Sequence, residues 1–462
     1  MTSTVTSDDR YPQGGIVQKF SAYIAKARDN PAPDESLEFA LKCVLDLLGA
    51  VGAGIGHTGP IAIRKTAHET RPAGNIPVWF TGETSSVIGA AWANSAAGSA
   101  LDLDDDTPAS RGHPGAAVIP AAIAVAQETN ASLRDLLNAI VIGYEVGTAI
   151  SAARAYGSTG TWAPYAVVAT AAALRGSSRE VIEHALAIAG ESAPNQSLAS
   201  APAPRNPHPA PNHVKEGITW AVVTGLESLA TAQNGFHGAR NILDATRYYN
   251  FPSDLDLGSY QYIRTTGFKP YCCCRHLHGA LDALIGLIEE HGLTAQTMDS
   301  IQVETYGPAL RISNWKEPQD VMDVQYSHPY CLALVAHYGH QALLPLTGSV
   351  LNDPAVTALS HKVELSLSTE LDRIYTETGM LPARVTVTCG AQRFFSPITF
   401  PKDHGLPWGE LEEKFRQATR FVATCEQQDI VVRAFSEARQ GDMRGLTKCL
   451  TQVQFVPGPL AV

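Results

Sequence analysis

Over most of the first 200 residues, and again near the C-terminus, apolar side chains recur at three- and four-residue intervals. Leu37, Leu41, Val44, Leu45 and Leu48 form one such stripe behind Asp34, which is placed to cap it. Ala-rich stretches at 86–99, 114–128, 132–153, 164–175 and 179–190 continue the helical pattern, and Ser132 with Asp135 makes a variant capping box before one of them. Side chains this small let helix axes approach closely, so the segment reads as a compact helical bundle nearly devoid of strands. The text changes at APAPRNPHPAPNH (201–213), where the density of proline rules out a helix. A polyproline or ordered loop is expected there, on composition a surface linker. Helical pattern resumes over 215–234 and stops at Asn234-Gly235.

From 267 to 395 the period shifts. SIQVETYG (300–307) and ARVTVTCG (383–390) alternate apolar and polar residues as half-buried strands do, with helical candidates at 276–291 and 326–340 between them. Because 408–450 returns to helix, the pattern predicts a mainly α protein. Residues 1–266 would form the first part of a helical domain, 267–395 a smaller α+β domain, and 396–462 the return to the helical one.

Composition narrows the function. The chain of 462 residues carries a net charge of −11, which argues against a nucleic-acid surface with its basic stripe. An anionic substrate stays open, since a few inward cations make a positive pocket inside an acidic protein. Eight Cys, three of them consecutive at 272–274, do not resemble a secreted disulfide framework. The polar N-terminus lacks a signal-peptide core, and no uninterrupted apolar run reaches membrane-spanning length. A cytoplasmic protein with no membrane partner is expected.

Four segments carry candidate chemistry. LDLDDDTPASRGHPG (101–115) sets four Asp beside Thr107, Arg111 and His113, and suits a divalent cation, a solvated acidic turn or a catalytic carboxylate. FKPYCCCRHLHGALDA (268–283) places Lys269, Arg275, His276 and His278 around three Cys. Adjacent Cys chelate zinc poorly and no second Cys-x-x-Cys pair exists, leaving buried thiols or a cation-activated one. In VQYSHPYCLAL (324–334), Tyr326 and Tyr330 share a face if the segment is helical, as packing residues or as part of a site. In HVKEG (213–217), Lys215 precedes a helix, an unfavourable place for a cation unless an anion is also there. No glycine-rich phosphate loop supports a nucleotide cofactor.

Six stretches add a family likeness: KCVLDLLGAVGAG (42–54), HPGAAVIPAAIAVA (113–126), IVIGYEVG (140–147), NGFHGARNILD (234–244), KPYCCCRHLHGALDA (269–283) and YSHPYCLALV (326–335). In order and spacing the chain resembles the MmgE/PrpD family of 2-methylcitrate dehydratase and cis-aconitate decarboxylase. The resemblance implies a large all-helical domain with a smaller α+β lid, an active site in the cleft between them, homodimers, and no metal or organic cofactor. It implies Asp102, His113, Lys269 and Tyr330 as catalytic residues, with His278 from the Lys-x-Tyr-x-Cys-Cys-x-x-x-His pattern. Lys215, Arg275 and Cys274 would bind the substrate. The implied function is dehydration of a citrate-like or alkylcitrate-like acid, with a decarboxylase, an epimerase or a non-catalytic binding protein as alternatives. Three features depart from the family pattern. Asp102-Leu103-Asp104-Asp105-Asp106-Thr107 carries an extra residue, so Asp102 or a later Asp takes the catalytic place. Ala163 stands where the family has His, and Lys215 follows an unusually Pro-rich loop with a one-residue shift.

Overall fold

The computed structural model describes residues 14–110, 112–154, 161–194, 213–402 and 405–456, so Arg111 and the Pro-rich stretch 201–212 lie outside it. The protein is mainly α with a smaller α+β part. The expected helices form as Asp34–Gly54, Val87–Ser99, Gly115–Thr129, Leu133–Ala153, Ala163–Leu174, Arg179–Glu191 and Ile218–Gln233. Ser132 caps its helix as expected, its hydroxyl accepting from Asp135 N while the Asp135 carboxylate answers Ser132 N. Asp34 does not cap. It is the first helical residue after Pro33, and its carboxylate accepts from Arg134 at 2.9 Å. The helix Thr58–Thr70 and a hairpin of Ile76–Val78 with Glu83–Ser85 were not legible as elements in the pattern.

Small residues set the bundle's spacing. A Cβ on Gly143 would stand 2.0 Å from Thr170 Oγ1, and one on Gly147 2.6 Å from Ala166 Cβ, so the helices Leu133–Ala153 and Ala163–Leu174 meet nearly backbone to backbone. The first of these is long and apolar enough on average to cross a bilayer, although Arg134, Asp135 and Glu145 interrupt its apolar residues. Of its most apolar window, 94% is buried inside the protein, which accounts for an apolar surface all round. At the C-terminus, Trp408–Thr419 lies along Asp34–Gly54, where a Cβ on Gly49 would be 3.5 Å from Phe415 Cα. Lys414 pairs there with the buried Asp46 and reaches the Leu103 carbonyl at 3.4 Å.

The sheet has the order Val363–Leu367, Ser300–Thr305, Arg384–Cys389, Gln392–Phe395, with the first pair parallel and the others antiparallel. Ile301 stands level with Val363 and Val387, a buried row that packs toward the helices His278–His291 and His328–Tyr338. Its two outer strands escaped the sequence pattern because they are mostly exposed and so lack clean alternation.

Glu145, fully buried on Leu133–Ala153, accepts from Ile263 N at 3.2 Å, and burial pushes its carboxyl from 4.5 up to about 7. The folded state therefore binds this proton more tightly than the unfolded state does. The stability it contributes is complete below about pH 4.5 and is lost as pH rises through 7. Glu145→Gln should be the more stable protein at pH 8, by about 1–3 kcal/mol, with the difference closing toward pH 4.5. Urea unfolding at several pH values measures this, and parallel pH curves for the two proteins would refute it.

Candidate active site

The chain leaves Val87–Ser99 and turns at Asp102, whose φ of +55° is unusual for a residue with a side chain. That turn aims its carboxylate inward. Oδ1 lies 3.1 Å from Lys215 Nζ and 3.3 Å from His113 Nε2, and Oδ2 lies 3.1 Å from Lys269 Nζ. All three charged residues Asp102, Lys215 and Lys269 are at most 2% exposed. Burial alone would raise the Asp102 pKa, but Lys215, Lys269 and His113 outweigh it and hold the carboxyl well below its usual range.

The other three Asp have separate tasks. Asp105 accepts from Gly115 N at 2.9 Å, at the start of Gly115–Thr129, and from the Tyr144 hydroxyl at 2.5 Å. Asp106 sits 3.6 Å from Arg275 Nε and exchanges two backbone hydrogen bonds with Gly267, which delivers Lys269 two residues later. Asp104 is buried with no hydrogen bond to either oxygen, 3.7 Å from His113 Nδ1, and burial raises its pKa. His113 Nδ1 donates to the Asp105 carbonyl at 2.9 Å, leaving Nε2 to face Asp102. Burial opposes its charge, but Asp104 and Asp102 prevail and raise its pKa, so the imidazolium persists toward neutral pH.

Lys215 arrives on a strained turn: Lys215, Glu216 and Gly217 have φ of +46°, +55° and +75° in succession. Its ammonium donates at 3.2 Å to both Gln325 Oε1 and the Tyr326 hydroxyl, and Gln325 in turn donates to the Ala100 carbonyl. Backbone bonds from Cys272 N to Leu343 O and from Cys274 N to Gln325 O fix the irregular KPYCCC segment beside this group.

The structure thus gathers Asp102, His113, Lys215 and Lys269, with Arg275 at the edge through Asp106. Cys274 is a neighbour whose thiol is pushed up to about 12, by burial and then by Asp102, so it is no thiolate nucleophile. His278 is corrected. Its Nε2 is taken by the Cys273 carbonyl and its Nδ1 by Arg275, and burial drives its pKa well down, so it orients the turn. Tyr330 is corrected too, because its hydroxyl donates to the Val350 carbonyl at 2.7 Å, away from the lysines. The helix begins at His328, capped by Ser327, so Tyr326 precedes it and the assumed shared face does not exist. Sequence reasoning also passed over Gln325, and it named His276 beside the three Cys without giving it a role in the site. His276 Nδ1 is 2.5 Å from the Tyr306 hydroxyl, and burial, then Arg311, lowers its pKa to about 4. Ala163 is buried at a helix start, two residues past Thr161, whose methyl would be 3.9 Å from a Cβ on Gly217.

Asp102, Asp104 and His113 present ligand atoms within 4.8 Å of one another. As a divalent-cation site the set fits poorly, since two buried ammonium groups already occupy both oxygens of Asp102 and would repel a dication.

The sequence matches the MmgE/PrpD N-terminal domain over residues 18–251 and the MmgE/PrpD C-terminal domain over 271–437. No curated protein matches it. Asp102, His113 and Lys215 fall in the first match, and Arg275 and Tyr326 in the second.

Removing the central carboxylate should expose the cost of the arrangement. Asp102→Asn strands two buried ammonium groups and is expected to lose about 3–5 kcal/mol in urea unfolding at pH 7. A loss below about 1 kcal/mol would mean that the lysines do not depend on this carboxylate.

Proposed function

From membership of the MmgE/PrpD family, to which this chain belongs and which supports a dehydratase/lyase-type or related enzyme, we propose a lyase that dehydrates a citrate-like or alkylcitrate-like polycarboxylic acid. One observation carries the reading: two buried lysines converge on a single carboxylate with spare donors, beside an imidazole whose protonated form is favoured. An ammonium group has three N–H donors, and Lys269 Nζ makes an ion pair but no directed hydrogen bond.

A proton beside a carboxylate is weakly acidic because its loss concentrates negative charge on the carboxylate oxygens. Lys269 is fixed in place to receive that charge through its uncommitted N–H donors, and Lys215 adds its positive charge from the other side of Asp102. Asp102 is held ionised between them and acts as their anchor, not as the base. His276, neutral above about pH 4 and within electrostatic reach of Asp102 and Lys269, is the base that takes the C–H proton. His113 gives its proton to the departing hydroxyl, so the products are an alkene acid and water. Tyr326, on Lys215, fills the role that the family likeness assigned to Tyr330. The reaction uses no metal or organic cofactor, and the enzyme works as a cytoplasmic homodimer. Ala163, standing where the family likeness has His, favours epimerisation as the second reading.

Incubation with 2-methylcitrate, citrate and cis-aconitate in D₂O, followed by mass spectrometry, separates the reactions. Water loss supports the dehydratase, CO₂ loss the decarboxylase, and deuterium uptake alone the epimerase; no change with any acid removes the reading. Lys269→Met, in the folded fraction, should lower turnover by about 10²–10³-fold. Activity should fall on the alkaline side as His113 loses its proton, above the pH of an ordinary imidazole, and on the acid side near pH 4 as His276 gains one. His113→Asn should remove the alkaline limb, and a limb that stays would exclude His113 as the acid.

A further inference from the structure

The two ring nitrogens of His276 are not equivalent. Nδ1 lies 2.5 Å from the Tyr306 hydroxyl, whereas Nε2 has no hydrogen-bond partner among the described residues. The imidazole is partly exposed and Tyr306 is completely buried, which leaves Nε2 as the nitrogen open to a ligand. Both residues are held. The His276 carbonyl lies 3.1 Å from His328 Nε2, and Asn314 Oδ1 lies 2.9 Å from Nδ1 of that second ring. Tyr306 follows the strand Ser300–Thr305 and stacks on Tyr375 of the helix Thr369–Thr378, with centroids 4.5 Å apart and planes at 11°. The next residue is tied to the same helix, since Gly307 N donates to Asp372 Oδ1 at 2.8 Å. Burial, then Cys274, keeps the Tyr306 phenol protonated. His276 is neutral above about pH 4, where burial and then Arg311 put it, and a neutral imidazole carries a single N–H. Which nitrogen carries that hydrogen decides whether the open side of the ring can act as a base.

We propose that Tyr306 is a positioning residue whose oxygen accepts from Nδ1–H of His276, leaving the Nε2 lone pair to take the substrate's C–H proton. The inference rests on the reading of His276 as the base. Proton transfer then gives an imidazolium with a hydrogen on each nitrogen and leaves the electron pair on the substrate, while Nδ1–H stays bonded to Tyr306 throughout. The opposite arrangement, with Tyr306 donating to Nδ1, would put the hydrogen on Nε2 and leave no lone pair on the open side. The end of a strand in the α+β part thus sets the tautomer of a base carried on the turn Arg275–Leu277.

NMR of the full chain carrying nitrogen-15 histidine reads the tautomer at pH 7 through two-bond correlations within each ring, with His276 assigned by its loss in His276→Gln. The expected signature is a protonated Nδ1 and an unprotonated Nε2, and a protonated Nε2 overturns the proposal. Tyr306→Phe keeps a ring to stack on Tyr375 and should lower kcat about ten-fold or more at unchanged KM, with the acid that the wild-type protein converts. In the same variant the hydrogen of His276 should no longer be confined to Nδ1. Wild-type kcat and tautomer in Tyr306→Phe would overturn the proposal as well. Should that variant fail to fold, the wild-type spectrum decides alone. His276→Gln distinguishes the two failures. Normal turnover there removes the base itself, whereas lost turnover there with wild-type behaviour in Tyr306→Phe removes only Tyr306.

Discussion

Two lysine ammonium groups buried against one carboxylate set the terms for the structure around them. Taking such charges out of water costs several kcal/mol each, and attraction offsets this only if the groups are held in good geometry with further donors and acceptors nearby. The fold meets that condition by drawing separate segments to one point: 102–113, the turn at 215–217, the irregular segment 267–275, and Gln325 with Tyr326. Two of these segments adopt backbone that L-residues avoid, at Asp102 and at Lys215 and Glu216, at about 1–3 kcal/mol per residue. Such strain persists only where neighbours enforce it. Here the Asp106–Gly267 bridge, the Gln325 bond to Ala100 and the Lys414 contact with Leu103 do so. The C-terminal return of the chain thus braces the back of the acidic run.

Much of this was legible in the sequence, and the limits were physical. Helices with a buried stripe announced themselves by their period, and Ser132 with Asp135 by chemistry. The inner strands Ser300–Thr305 and Arg384–Cys389 alternate because one face is buried, whereas the outer strands, mostly exposed, carry no such signature. Asp102, His113, Lys215 and Lys269 were found as residue types at recognisable positions. Side-chain direction was not. Whether Tyr326 or Tyr330 faces the lysines depends on where a helix starts, and the Ser327 cap sets that start at His328, two residues after Tyr326. Likewise the three-residue turn Arg275–Leu277 sends His276 to Tyr306 and leaves His278 held by Cys273 and Arg275, a rotation that spacing does not encode.

The acidic run shows why local composition misleads. Four Asp in five residues suggest a solvated turn or a cation site, yet all four are largely buried and each has a different neighbour. Asp105 holds a helix terminus and a tyrosine, Asp106 holds Arg275, Asp102 holds the lysines, and Asp104 faces His113. The last pair shares its proton question. Burial raises Asp104, while Asp104 and Asp102 raise His113 against its own burial, which favours a proton beside the lysines.

Charge balance then bears on what the site accepts. At Asp102 two ammonium groups answer one carboxylate, with Asp104 and Asp106 as the next acidic groups around Lys269 and half-buried Glu216 beside Lys215. The whole chain carries −11, so its outer field disfavours polyanions and long-range steering cannot supply affinity. Attraction has to come from within, where water is excluded and each charge counts for more. Two lysines can satisfy one or two carboxylates but not an indefinitely anionic ligand.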